Sequence, residues 1–279
     1  MYKQKRAVIV NDLSGIGKCS LSVAIPLLSV LDIEACALPT AVLSNQTAFD
    51  KFSFLDLSDS MKNTIEIWKE TNEHFDAIYT GFLGSKDQIE IIKDLVKFND
   101  KALFIVDPVM GDNGAMYDTY TKELCNSVRE LVSMADIITP NITEAKILLD
   151  ENLDYFDINN LKIDQIKSIA KSLSKLGPKY VIITGILIDD NILNILYIKE
   201  KDEFYIEKYF YNNYSYSGTG DIFASLITGY SLKGYDIKIA LKKASSFIKK
   251  AIDKTMHNLR DPRYGVQFES ILKEVLLDE

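Results

Sequence analysis

Short runs of consecutive apolar residues recur along the chain, and the longer stretches between them return an apolar residue every three or four positions. The runs lie at residues 7–10, 34–38, 77–80, 103–106, 136–139 and 180–184. Unbroken apolar runs of this length predict strands covered on both faces. The stretches at 20–31, about 59–73, 86–98 and about 121–133 predict helices. In 86–98 the apolar positions Ile89, Ile92, Leu95 and Val96 share one face. Strand and helix in alternation predict βαβ units, hence an α/β fold with a mostly parallel central sheet flanked by helices. After Gly185 the pattern changes. Residues 192–198 and 204–211 predict an antiparallel strand pair around the polar turn 199–203, and helices follow at about 220–232 and 236–252. The stretch "LRDPRYGVQFESILKEVL" reads as a turn and a final amphipathic helix. Residues 1–279 carry no internal repeat and no Pro- or Ser-rich linker, so a single domain is expected.

Composition narrows the function classes. A 47% hydrophobic, 26% charged chain is globular, and a formal net charge of −8 argues against a general nucleic-acid surface. The pairs Lys242-Lys243 and Lys249-Lys250 fit one solvated helix face. Cys19, Cys36 and Cys125 form no CxxC and cannot all pair, which suits a reducing compartment. Lys3, Lys5 and Arg6 precede an apolar run too short for a signal sequence, and no stretch approaches a membrane-spanning length. A cytoplasmic protein without a membrane or nucleic-acid partner is expected.

In open α/β sheets, ligands sit at the carboxyl ends of the strands, so polar residues just after strands carry functional weight. Asn11 and Asp12, Thr80 and Gly81, Asp107, Thr139 and Asn141, and Thr184 and Gly185 occupy such places. "DLSGIGKCS" at 12–20 invites a P-loop reading and fails it: Asp12 stands where the first glycine belongs, and Cys19 where the Ser or Thr belongs. A tight strand-to-helix turn explains its glycines. "SGTGD" at 217–221 is different. A helix starting near Gly220 would aim free N–H groups and its dipole at an anion, with Asp221 beside it as a base for an alcohol. The competing reading makes Asp221 a helix-capping residue only. "DPVMGDNG" (107–114), with a turn at Gly111-Asp112, and "TPNITEA" (139–145) supply Asp107, Asp112, Asn141 and Glu144. These are hard oxygens suited to a nucleotide's magnesium. His74 and His257 lie beside no matching nucleophile, and Trp68, with Ile65 and Ile67, reads as helix packing. Tyr209, Tyr211, Tyr214 and Tyr216 alternate as on a half-buried strand face.

Six segments, "NDLSGIGKCSL", "LPTAVLSNQTAF", "YTGFLGS", "VDPVMGDNG", "ADIITPNITEA" and "YSGTGDIFAS", occur in order between residues 11 and 225. Together they resemble the ribokinase-like superfamily and, more narrowly, the pyridoxal/pyridoxamine (vitamin B6) kinases. The resemblance implies a ribokinase-like three-layer fold and transfer of a phosphoryl group from ATP to the 5′-hydroxymethyl of a B6 vitamer. Asp221 would be the base, and Gly218, Thr219 and Gly220 the anion hole. Asp107, Asp112 and Glu144 would hold Mg2+, and Asn141 would lie near the phosphates. Thr184, Gly185, Tyr216 and Ser217 would lie on the nucleotide side, with the segment 205–216 near the adenine. Asn11, Asp12, Gln46, Thr47 and Phe82 would contact the acceptor ring. A homodimer and help from a monovalent cation are implied as well. Gln46 stands where many relatives carry His, and Phe82 where many pyridoxal kinases carry Tyr. Hydroxymethylpyrimidine kinases usually carry a Cys in or near the glycine turn, and here no cysteine stands beside Asp221 in the sequence. A hydroxymethylpyrimidine or small-sugar kinase, and a non-catalytic B6 or nucleotide sensor, are the alternatives.

Overall fold

A computed structural model of the protein describes residues 4–151, 153, 161–211, 214–257 and 261–277. Lys3, residues 212–213 of the segment expected near the adenine, and residues 259–260 of the closing stretch lie outside the described residues.

Among the described residues, nine strands form one sheet and two more form a hairpin. The strands are β1 (Lys5–Ser14), β2 (Ile33–Leu43), β3 (Phe54–Asp56), β4 (Ala77–Thr80), β5 (Leu103–Val106), β6 (Gly111–Asp112), β7 (Ala115–Met116), β8 (Ile137–Ile138), β9 (Tyr180–Ile188), β10 (Asn191–Ile198) and β11 (Glu203–Phe210). The large sheet runs β11-β10-β9-β8-β5-β4-β1-β2-β3. From β9 to β2 every pairing is parallel; β10, β11 and β3 run antiparallel to their neighbours. The expected fold class holds, strand pair included.

Two apolar layers explain the unbroken runs. Val8, Val10, Ile78, Val106 and Ile183 face one core, and Ala7, Ile9, Tyr79, Ile105 and Ile182 face the other. The first core is closed by α2 (Ser58–Glu70), α3 (Lys86–Phe98), α4 (Lys122–Val132), α5 (Ile142–Leu148) and α6 (Ile163–Ser174). The second is closed by α1 (Leu21–Val30), α7 (Thr219–Leu232) and α8 (Ile237–Met256). Strands covered on both faces need apolar residues at every position, because neither face meets water.

Several expectations change. β1 and β2 outrun the apolar runs that marked them; the added end of β1 carries Asn11, Asp12 and Ser14 into the site, and that of β2 carries Leu43. β3, three residues long and exposed throughout despite Phe54 and Leu55, was not anticipated; Gln88 ties it in by donating to Asp56 (2.9 Å) and to the Thr40 carbonyl (3.0 Å). α6 was not anticipated, although Ile166, Ile169, Ala170 and Leu173 keep helical spacing on its buried face. The turn expected at Gly111-Asp112 lies two residues on, Gly111 and Asp112 themselves forming β6. Asn113 (φ 51°) and Gly114 (φ 80°) make it, since a two-residue hairpin turn of this hand needs positive φ at both central positions. Ile67 is exposed, whereas Trp68 packs on Phe75 at 5.1 Å. The closing stretch forms 3-10 turns at Pro262–Tyr264 and Glu269–Ile271 and a four-residue α9 (Glu274–Leu277), not one helix. It is laid along the second core by Val266, Phe268, Ile271 and Val275, and Gly265 at φ 75° breaks its path.

Candidate active site

The sheet order reverses at β1 and β4: β2 lies to one side of this pair and β5, β8 and β9 to the other. At such a reversal the loops leaving the strands diverge and open a crevice. Asn11, at the carboxyl end of β1, spans it. Its Oδ1 accepts from the Phe82 N–H (2.9 Å) and the Asp12 N–H (3.0 Å), and its Nδ2 donates to Asp221 Oδ1 (2.9 Å). Asn11 is therefore a strut for Asp221 as well as part of the cavity wall. Asp12 is occupied too: Ser14 and Ser20 donate to it at 2.7 and 2.5 Å.

Asp221 sits in the first turn of α7, whose N-cap is Gly218 at φ 80°. A Cβ on Gly218 would lie 1.9 Å from the Lys18 carbonyl oxygen, so only glycine lets the two turns touch. Ile222 takes the first intrahelical bond, to Gly218. The N–H groups of residues 219–221 then precede any helical acceptor and are available to an anion. Burial pushes the Asp221 carboxyl up to about 6; the Asp12 charge adds to this, while the Ser20 N–H and the Asn11 amide oppose it.

Asp107 ends β5 and accepts from Thr139 Oγ1 at 3.0 Å. Burial and the neighbouring Asp221 charge both raise its carboxyl. Glu144 closes a capping box at α5: it accepts from the Asn141 N–H at 2.8 Å, and the Asn141 side chain accepts from the Glu144 N–H at 2.9 Å. Glu144 is raised well above its ordinary range by burial and by the charge of Asp107. Asn141 also donates to the Gly111 carbonyl (2.8 Å), and Thr143 accepts from the Gly114 N–H (2.9 Å), which docks the β6–β7 hairpin on α5. Asp112 rides on that hairpin, its carboxyl raised by burial.

The seventeen residues to which the resemblance assigns site roles all line one cavity of about 770 Å³, as does Thr139; Thr80 and Gly81 do not belong to its lining. It runs from Gln46, Thr47 and Phe82 at one end, past Asp221 and Asp107, to Thr184, Gly185 and Tyr216 at the other. Its lining carries Asp12, Asp107, Asp112, Glu144 and Asp221 against a single cation, Arg263, among the described residues. Among the described residues no three His, Cys, Asp or Glu side chains gather closely enough to hold a metal ion by themselves. Hard carboxylate oxygens whose ionisation is opposed by one another suit a magnesium ion that arrives with phosphates and keeps waters.

Some lining residues gave no signal in the sequence. Gln46 Nε2 donates to the Arg263 carbonyl (2.6 Å), the Ser217 N–H to the Pro262 carbonyl (3.2 Å), and the Lys18 N–H to the Tyr264 carbonyl (3.3 Å). Residues 262–264 thus form a strap over both glycine turns. Tyr117, on the loop after β7, also faces the cavity. Cys19 lines it as well: the sequence sets no cysteine beside Asp221, but the fold brings the Cys19 Cα within 3.1 Å of the Cβ position of Gly218. Burial, then the charges of Asp221 and Asp12, push this thiol far up, so it stays protonated.

The family model for phosphomethylpyrimidine kinase matches residues 28–263, most of the chain. The chain belongs to the phosphomethylpyrimidine kinase family. Within the family, a Bacteroides thetaiotaomicron protein carrying the provisional name phosphomethylpyrimidine kinase, crystallised with pyridoxal, is 40% identical with a TM-score of 0.92. That match covers 98% of this chain and 96% of the other. The pyridoxal kinase of Dictyostelium discoideum is 28% identical over 251 residues, 82% of this chain and 78% of that protein. The hydroxymethylpyrimidine/phosphomethylpyrimidine kinase of Staphylococcus aureus (strain MRSA252) is 29% identical over 223 residues, 76% of this chain and 75% of that protein. Kinase chemistry is thus common ground for the family, and B6 vitamers and pyrimidines are both represented among its acceptors. Among the described residues no helix is long and apolar enough to cross a membrane.

Proposed function

We propose that this kinase transfers the γ-phosphoryl group of ATP to the 5′-hydroxymethyl of a B6 vitamer. The observation that carries the reading is the placement of Asp221: a half-buried carboxylate at the N-terminus of α7, braced by Asn11, in the wall of a cavity that runs from Gln46 and Phe82 to Thr184 and Tyr216. The alcohol proton passes to Asp221, the alcohol oxygen attacks the γ-phosphorus, and the bond to the bridging oxygen breaks, its electron pair leaving with ADP. The first-turn amides of α7 stabilise the charge on the transferring group, and the cavity walls hold the reactants in line. Asp107, Glu144 and Asp112 would hold magnesium, whose chemistry is to neutralise phosphate charge. Without a cation their charges would oppose a triphosphate. A monovalent cation, a homodimer and a cytoplasmic setting complete the proposal; the three free cysteines suit the last.

The pyridoxal-bound relative at 40% identity supports a B6 vitamer as acceptor. Phe82 offers a flat apolar face there, held edge-on by Phe54 and Tyr120 at 6.5 Å each. Hydroxymethylpyrimidine is the second reading, favoured by Cys19 beside the glycine turn and by the Staphylococcus relative. Coupled ADP release over pyridoxal, pyridoxine, pyridoxamine, hydroxymethylpyrimidine and ribose tests the choice. The expected result is the highest kcat/KM with a B6 vitamer. No ADP from any vitamer overturns the reading, and tight vitamer binding without turnover would make the protein a sensor.

A further inference from the structure

A smaller cavity of about 120 Å³ adjoins the large one beyond Gly185. Tyr209, Tyr211, Tyr214 and Tyr216 line one part of it, and Ile248, Lys249 and Ile252 of α8 form the opposite wall. Lys249, expected on a solvated face, therefore borders this cavity while pairing with Asp253 at 2.6 Å. Gly185 belongs to both cavities and sits at a bend in β9: its φ is 69°, and nothing lies within 4 Å of where a Cβ would stand.

Behind that bend the pairing of β9 with β10 slips between Leu193 and Ile195: Thr184 and Gly185 of β9 stand opposite a single residue of β10, Asn194, 3% exposed. Its amide is used on both sides. Oδ1 accepts from the Gly185 N–H at 2.9 Å, and Nδ2 donates to Ser245 Oγ at 2.8 Å. A backbone N–H can only donate, so the amide oxygen must face Gly185 and the amide nitrogen must face Ser245. Ser245 lies one turn before Ile248 and Lys249 on α8. A single buried side chain thereby joins the two walls of the small cavity. A buried amide is costly unless both ends are satisfied, and both ends of Asn194 are.

We infer that Asn194 is a positioning residue for the base of the nucleotide: it fixes the distance between the Gly185 bend and α8, and with it the width of the tyrosine-lined slot that takes a planar base. The inference rests on the nucleotide reading of this end of the site, and not on which acceptor is phosphorylated. Asn194 touches no ligand and acts through Gly185 and Ser245.

The test compares wild type, Asn194→Leu and Ser245→Ala. Calorimetric titration with MgADP in the absence of acceptor is followed by KM for MgATP and for whichever acceptor turns over. Asn194→Leu is expected to weaken MgADP about tenfold and raise the MgATP KM in step, while kcat and acceptor KM stay within about twofold. Ser245→Ala, which leaves the bond to Gly185, is expected to shift MgADP by about threefold. An unchanged MgADP affinity in a folded Asn194→Leu protein overturns the inference. So does an equal rise in acceptor KM, which would signal general loosening. Should Asn194→Leu not fold, an unchanged affinity in Ser245→Ala overturns it instead. Absence of MgADP binding by wild type overturns the nucleotide reading itself, whereas absence of vitamer turnover overturns only the acceptor reading.

Discussion

Two glycine turns meet in this site, and each leads into a helix of the same layer. The turn at 15–18 leads into α1, the turn at 217–220 into α7. Read locally they are alike. In space they differ: the α7 start turns Gly218, Thr219, Gly220 and Asp221 to the cavity, whereas the α1 start is tied down by its neighbours. At α1 the Ser20 hydroxyl is occupied by Asp12, and the Lys18 amine is paired with Glu269 at 2.7 Å. The first turn serves as a buttress whose Lys18 carbonyl presses on Gly218. A glycine motif acquires its role from what its helix start points at, and that is decided by distant segments.

Breaking the α7 turn is expected to matter most. Asp221→Asn should lower kcat by about 10³-fold with MgADP affinity nearly unchanged, since it removes the base and keeps the shape. Steady-state rates and MgADP titration check this; an intact rate would leave Asp221 a helix cap. Next, Gly218→Ala should destabilise by about 3 kcal/mol or more in urea unfolding, from positive φ and a clash with backbone. Gly17→Ala, whose clash is with the movable Gln46 side chain, should cost about 1–2 kcal/mol, which would separate the two turns.

The pH dependence sharpens the contrast further. As the proposed base, Asp221 must be ionised, and its carboxyl is raised to about 6, so kcat/KM should fall about tenfold per unit as pH drops below that value. The same shift affects stability with the opposite sense. A carboxyl raised on folding favours the native state below its ordinary value of 3.8, and that contribution is lost as pH rises through about 6. Asp221→Asn should therefore melt above wild type at pH 7.5, by about 1–2 kcal/mol, and lose the advantage near pH 3.5. The smallest effect is expected at the other turn. Lys18→Met should change kcat by less than about threefold, as for a partly exposed ion pair. A loss of about 10²-fold or more would mean that Lys18 serves the phosphates after all.

Much of this was legible in the chain. The strands β1, β4, β5 and β9 announced themselves as unbroken apolar runs because each is buried on both faces. Residues at or just past their carboxyl ends, Asn11, Phe82, Asp107, Thr184 and Gly185, reach one cavity for the same topological reason, although Thr80 and Gly81 do not. What stayed hidden depends on partners far away in sequence. Asn11 and Asp221 are 210 residues apart, and Gln46 and Arg263 are 217 apart, so no local period records either bond. β3 is only three residues long and exposed throughout, too short for its Phe54 and Leu55 to mark a period. α6 is a different case, since its spacing was present and went unread.

The strap at 262–264 has a consequence for the order in which the site can form. It follows every other part of the cavity along the chain, yet its carbonyls bind Gln46, Ser217 and Lys18. During synthesis the sheet, both glycine turns and Asp221 are all available before these acceptors exist. Both turns would thus emerge with donors unanswered, and the acceptor and phosphate ends of the site would be fastened together last.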